Sequence, residues 1–213
     1  MTTTHRYIAD THFGCSAEFL KMAGRPFESP EEHDATIIGN ISSALDDGCE
    51  VWIVGDCFDT HTNTDTIHEL FAAIEPCKRE HLHLICGNHD GATVTALKSR
   101  DMLNYRDDNP AGVFDTVFPA AMLADDGRQV LLLHYPIAVP YPDQGFAIYG
   151  HIHDGLKRDG SESSYTRYIQ AIESNLNASA DITGFKPLTI DELIEVNRDW
   201  RVGSIKPPKR ANR

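Results

Sequence analysis

Leu82-His83-Leu84-Ile85-Cys86-Gly87-Asn88-His89-Asp90 is the stretch from which the rest of the chain can be read. Leu82, Leu84, Ile85 and Cys86 form an apolar run long enough for one buried strand and too short for a helix. The run stops at Gly87, where the backbone can turn sharply. An amide, an imidazole and a carboxylate follow at once, beyond the end of a buried strand, and open α/β sheets bind ligands in such places. A capped turn is the plainer reading, since Gly91–Arg100 suggests a helix with Asn88 or Asp90 as its N-cap. Repetition favours a site: the pattern of apolar strand and then polar cluster recurs four more times.

The chain has 213 residues, 41% of them hydrophobic, and a mean hydropathy of -0.35. These values describe a soluble globular protein long enough to bury a full core. No apolar run approaches the length of a membrane span, and Met1–Arg6 lacks the apolar stretch of a signal peptide. Cys15, Cys49, Cys57, Cys77 and Cys86 form no CxxC pair, which suits reduced thiols, and a cytoplasmic location without membrane association is expected. The net charge is -13, and residues 1–197 hold 13 basic against 31 acidic side chains, a balance of -18. So acidic a body repels polyphosphate backbones, although part of the acidity can belong to a cation site. Residues 1–199 are expected to form one domain, and 200–213 a loose basic tail.

Along the chain, Arg6–Ala9 reads as a strand delivering Asp10-Thr11-His12. Side chains alternate in an extended chain, so Asp10 and His12 can point at one ion. Gly14–Ser29 reads as a loop, followed by a helix start with Ser29 as N-cap, Pro30 in the first turn and Glu32 completing a capping box. Ile37, Ile38, Ile41, Ala44 and Leu45 give that helix its buried stripe. Val51–Val54 is a second strand, delivering Gly55-Asp56-Cys57-Phe58-Asp59, and a second helix is predicted over Asp65–Glu75, ended by Pro76. The order strand, helix, strand, helix, strand argues for parallel pairing through crossover helices. After Pro110 the texture becomes hairpin-rich, as a crossing between sheets would produce. Val117-Phe118 and Ala121–Ala124 lead through the turn Asp125-Asp126-Gly127 to Gln129–Leu133, which delivers His134. Phe146–Tyr149 delivers Gly150-His151-Ile152-His153. Arg167–Ile172 and Ala178–Ile182 read as further strands, and Thr189–Glu192 as a capping box opening a helix through about Val196.

Five strand ends thus carry Asp-x-His, Gly-Asp-x-x-Asp, Gly-Asn-His-Asp, a lone His and Gly-His-x-His, with five of the eleven histidines. Singly, Asp10, Asp56 and Asp59 would be turn or loop acids and His134 a core histidine. Jointly, imidazoles, carboxylates and one amide oxygen suit borderline divalent metals, and their number exceeds what one ion holds. His5, His33, His68, His81 and His83 belong to no motif and read as surface or packing residues.

These motifs, in this order over residues 10–153, resemble the calcineurin-like metallophosphoesterase superfamily, and the chain is similar to its short bacterial and phage members. The resemblance implies a four-layer α/β/β/α sandwich with two mixed β-sheets. It implies two divalent metal ions, manganese first, with iron, zinc, nickel or cobalt as alternatives. Asp10, His12 and His153 would hold one ion, Asn88, His134 and His151 the other, and Asp56 would bridge them. His89 would meet the phosphate and assist the leaving oxygen, oriented by Asp59. The implied reaction is phosphate-ester hydrolysis by in-line attack of a metal-bridging hydroxide, leaning to small phosphodiesters or nucleotides.

The chain departs from the family's protein phosphatases, which carry Asp-Arg-Gly where this chain has Asp59-Thr60-His61. In short relatives a histidine often follows the Phe-Gly pair, whereas here Cys15 does. Arg25 and His61 are weaker substrate-contact candidates, Arg25 reading first as a surface arginine on a loop. The alternatives are a phosphomonoesterase, a metal-dependent nuclease, and a non-catalytic scaffold like the retromer subunit of this fold. The expected partner is a small phosphate ester, with nucleic acid disfavoured; the sequence does not fix the oligomeric state, a homodimer being one option.

Overall fold

The structure is a computed structural model that describes residues 3–60, 62–138, 145–156 and 160–204. In chain order the elements are β1 (His5–Ile8), α1 (Ala17–Ala23), α2 (Pro30–Asp46), β2 (Glu50–Val54) and α3 (Thr64–Phe71), then a 3-10 helix at Pro76–His81. Next come β3 (Leu82–Ile85), α4 (Gly91–Ser99), β4 (Thr116–Phe118), β5 (Ala120–Asp125), β6 (Arg128–Leu133) and β7 (Phe146–Tyr149). The chain continues with α5 (Ser164–Gln170), β8 (Asn175–Asn177), α6 (Ala180–Thr183) and α7 (Ile190–Arg201).

The strands form two sheets of four, ordered β1-β2-β3-β4 and β5-β6-β7-β8. Every strand pair of the first sheet is parallel, so the expectation of two mixed sheets holds only for the second, where the β5–β6 hairpin is antiparallel. Its turn has Asp126 and Gly127 both at positive φ, 47° and 76°, the twist that a two-residue hairpin needs. The chain passes from one sheet to the other at Pro119, between β4 and β5.

Alternation along the strands sorts the core into two clusters. Ile8, Val51, Ile53, Leu82 and Leu84 face α2, α3 and α4, meeting Ile37, Ile41, Phe71 and Leu97. Tyr7, Trp52, Val54 and Ile85 face the other way, onto Val130, Leu132, Ile148 and Leu176 of the second sheet. Helices, first sheet and second sheet are therefore stacked, with strands of the first sheet apolar on both faces as parallel strands usually are. No helix among the described residues is long and apolar enough to cross a membrane.

The helix starts follow their caps. Ser29 Oγ accepts from Glu32 N at 3.2 Å, but the Glu32 carboxylate turns to Glu28 N at 2.7 Å, so the expected reciprocal box is not made there. Both arms of the box are present at Thr189 and Glu192. That helix runs to Arg201, past Val196, with Trp200 buried and its Nε1 donating to Asp154 O at 2.9 Å. Trp200 and Arg201 thus belong to the packed body rather than to a tail; residues 205–213 lie outside the described residues.

Four other segments correct the sequence reading. The expected loop Gly14–Ser29 contains α1, capped by Ser16 and closed by Gly24 in the left-handed region. Arg167–Ile172 is largely the helix α5, started by the Ser163 cap, not a strand. The last strand ends at Asn177, so Ala178–Ile182 is mostly the short turn of α6. The helix expected over Asp65–Glu75 stops at Phe71, and Pro76 opens the 3-10 helix.

Candidate metal centre

The carboxyl ends of β1, β2 and β3 lie on one edge because the strands are parallel and in register. Beyond that edge the chain stays paired: Asp10 N donates to Gly55 O at 2.9 Å and His12 N to Asp56 O at 3.0 Å. Gly150 N donates to His134 O at 3.0 Å, tying the ends of β6 and β7 together in the same way. The turns are costly ones. Asp10, His12, Asp56, His151 and His153 all have φ between 48° and 73°, five of the eight non-glycine residues with positive φ among those described. Such a backbone costs on the order of 1–2 kcal/mol per residue, and it persists where surroundings over-determine it, typically at sites.

Glycine makes the approach possible. A Cβ on Gly87 would stand 2.2 Å from Asp56 Oδ1 and 2.3 Å from Asp56 N. Gly87→Ala is expected to displace the Asp56 carboxylate and to weaken by roughly tenfold or more the binding of any divalent cation held there, with an unchanged far-ultraviolet circular dichroism spectrum. Metal titration of the folded variant tests this, and wild-type affinity would show that the crowding is absorbed elsewhere.

Within the cluster each aspartate uses one oxygen for structure and leaves the other inward. Asp10 Oδ1 accepts from His151 N at 2.9 Å, and Asp56 Oδ1 from His89 N at 2.8 Å. Asp56 Oδ2 then lies 3.2 Å from His134 Nε2, 3.9 Å from His12 Nε2 and 4.0 Å from His89 Nε2. Asn88 Oδ1 is 3.1 Å from His134 Nε2 and 3.0 Å from His151 Nδ1. The candidate ligands form two sets, Asp10–His12–His153 and Asp56–His134–His151, each with its ligand atoms within 4.8 Å of one another, and a third set, His12–Asp59–His89, shares His12 with the first. The seven candidate ligands are thus brought together, four from the first sheet's loops and three from the second's.

The residues fit a cation. Asp10, His12, Asp56 and His134 are at most 2% exposed. Asp10 Oδ2 and both ring nitrogens of His12 have no hydrogen-bond partner among the described residues. A buried polar atom left so costs roughly 1–3 kcal/mol, which a coordinated ion would remove. Neighbour spacings of 3.0–3.2 Å around Asn88, His134, His151 and Asp56 also match donors about 2.1 Å from a shared ion. Burial, then the charges of His153 and Arg25, hold the His12 imidazole well below its ordinary pKa, keeping it neutral as a ligand must be. Burial opposes charge on His134 and His153 too, but Asp56 and Asp10 around the first, and Asp181 and Asp10 around the second, raise both. Cation binding would release those protons.

His89 and Asp59 stand beside the cluster but are not hydrogen-bonded to each other. Asp59 Oδ1 is 3.7 Å from His89 Nδ1, whereas Thr60 Oγ1 is 2.6 Å away and takes the orienting place expected of Asp59. His61 lies outside the described residues. Asp90 occupies the N-cap position of α4 without capping it; its carboxylate accepts from Gly87 N at 2.6 Å and Phe58 N at 3.0 Å, tying two ligand loops together. Burial pushes its carboxyl up to about 6.

Arg25 is neither a surface residue nor open to substrate: it is 5% exposed. It grips Asp181 through Nε at 3.0 Å and Nη2 at 2.9 Å, and donates to Asp10 O at 2.6 Å and Thr11 O at 3.1 Å. Asp181 in turn accepts from His153 Nδ1 at 2.7 Å, fixing which ring nitrogen faces the cluster. Arg25 Nη1 also meets His33 Nε2 at 2.8 Å, and His33 Nδ1 meets Asp34 Oδ1 at 2.7 Å. The grouping of Cys15, His33 and Asp34 therefore has both imidazole nitrogens engaged, and burial pushes the Cys15 thiol up to about 12, away from the thiolate that ligates metal. Asp181 went unnoticed in the sequence because it stands alone, beyond the last motif. Thr60 carried no signal beyond its place next to Asp59.

No family model matches the chain, and no curated protein matches it in sequence. Among solved structures it is similar to a protein of unknown function from Aquifex aeolicus, at 20% identity and a TM-score of 0.60 over 92% of this chain and 100% of that one. Weaker likenesses are to YfcE, a phosphoesterase from E. coli (13% identity, 71% and 70% of the two chains, TM-score 0.43), and to nuclease MPE from Pseudomonas putida (18%, 70% and 61%, 0.36). Fold and site together define an α/β protein with histidine–aspartate groups able to hold metal. The Aquifex protein shares the fold.

Proposed function

We propose that the chain is a phosphoric ester hydrolase working with two divalent cations, manganese first among them, in a four-layer α/β/β/α sandwich. One observation carries the reading: Asp56 Oδ2 lies between the two ligand sets, within 4.0 Å of three imidazole nitrogens. A lone carboxylate oxygen so placed is suited to two ions and wasteful for one. Bound there, the cations would acidify a water and neutralise charge on the phosphate.

The chain's own residues do the rest. Asp10, His12 and His153 present their ligand atoms from one side, Asn88, His134 and His151 from the other, so a phosphate is oriented before it reacts. His89 is about one-third exposed and faces Asp56 through Nε2. When Nδ1–H donates to the Thr60 hydroxyl, a ring protonated on both nitrogens is held with its Nε2 proton free, and a departing ester oxygen can take that proton and leave the ring neutral. No serine or cysteine nucleophile is placed for this chemistry among the described residues, so no phosphoenzyme is expected. The short chain and acidic body favour a small phosphodiester over a polymer.

Hydrolysis of bis-p-nitrophenyl phosphate with excess manganese is the test, beside p-nitrophenyl phosphate and 2′,3′-cyclic nucleotides. Wild type should turn over the diester faster than the monoester, and His89→Ala should lose about a hundredfold or more in rate while still binding manganese. Manganese uptake without turnover of any ester would leave only the scaffold reading.

A further inference from the structure

The exposed ring that packs on the cluster is Tyr135, directly after His134. It is 52% exposed, yet its ring lies 4.6 Å from that of His151 and 5.2 Å from that of His134. Among the described residues, the other exposed aromatic rings, Phe118, Tyr165 and Tyr168, make no ring contact with a candidate ligand. Phe19, on the opposite flank, is only partly exposed; its ring covers His12 at 4.7 Å and carries the Arg25 guanidinium at 5.2 Å, so its faces are taken. Tyr135 keeps surface open beside the second ligand set.

Its backbone is held. Ile137 O accepts from Asn175 Nδ2 at 2.6 Å, and Asn175 is itself 1% exposed; Ala138 O accepts from Tyr168 Oη at 2.8 Å. Pro136 stiffens the link between tyrosine and anchors. A rigid, half-exposed aromatic ring at the lip of a phosphate site is a surface on which a planar group can stack at little entropic cost.

We propose that Tyr135 is a stacking subsite for a planar aromatic group carried by the phosphate ester, namely a nucleobase, so that the substrate class is a single nucleotide or its small diester. The acidic body disfavours a longer strand, whose further phosphates would meet net repulsion. This deepens the phosphoesterase reading and rests on it.

Calorimetric titration of AMP and of ribose 5-phosphate into manganese-loaded protein tests the subsite. Wild type should bind AMP about tenfold tighter than ribose 5-phosphate, within the range one stacked base contributes. Tyr135→Ala should erase that difference by weakening AMP alone, and Tyr135→Phe should restore it. Equal manganese uptake by all three proteins separates lost stacking from a disturbed ligand set. The subsite is overturned if AMP and ribose 5-phosphate bind alike in wild type, or if Tyr135→Ala weakens both equally. Turnover of bis-p-nitrophenyl phosphate in the same preparation keeps the two failures apart: turnover without an AMP preference sinks the subsite alone, and no turnover sinks the phosphoesterase reading.

Discussion

For the proposed two-ion hydrolase, Asp56→Asn is expected to drop manganese uptake from two ions per chain to one or none and to cut diester hydrolysis by on the order of a thousandfold or more. The change keeps size and shape. Oδ1 can still accept from His89 N, so the turn after Gly87 has no reason to move. The inward atom changes from an anionic oxygen to an amide nitrogen, which has no lone pair for a cation and aims its hydrogens at His134, His12 and His89. His134 would also lose a partner that raises its pKa. Metal analysis after dialysis, with circular dichroism as the control for folding, decides the matter. A folded variant that keeps two manganese ions and a rate within tenfold of wild type would remove Asp56 from the central place.

The second large effect is on stability. Arg25→Ala should lower the melting temperature by about 10 °C, because it strands a carboxylate in the interior. The Arg25 side chain is 0% and that of Asp181 7% exposed, and their forked pair sits in low dielectric. Removing one member of a buried pair costs roughly 3–5 kcal/mol, and each kcal/mol is worth about 2–4 °C in a domain of this size. The carbonyls of Asp10 and Thr11 lose their donor in the same step. The double change Arg25→Met with Asp181→Leu should recover much of the melting temperature, since no charge is then left unpaired. It should weaken metal binding by roughly ten- to a hundredfold, because removing Asp181 takes the orienting carboxylate from His153. If the double variant binds manganese like wild type, Arg25 and Asp181 only fill space.

These two predictions differ in how far the sequence led to them. Asp56 was legible because an apolar run ending in glycine and a polar cluster is a local signal, and parallel strands bring such ends to one edge. Arg25 and Asp181 were not, because 156 positions separate them and an arginine on a short segment ordinarily stays in water. The helix α5 was missed for a related reason: Tyr165, Thr166, Tyr168 and Ile169 favour a strand by residue type, and tertiary packing overrode them. Ser163 was the available clue, as Ser16 was for α1. Parallel pairing of β1, β2 and β3 followed from the strand–helix alternation; the direction of β4 did not, because it is three residues long, and so an all-parallel first sheet was not legible.

The ligands are divided between the loops of two separate sheets, joined in sequence only through Pro119 and the segments after it. An ion shared between them would be a clasp as well as the proposed reagent: whatever opens the seam between the sheets would first have to give up the ion, and whatever supplies the ion would close the seam. On the proposed reading, the lifetime of this protein would therefore rise and fall with the same divalent-cation level that sets its rate.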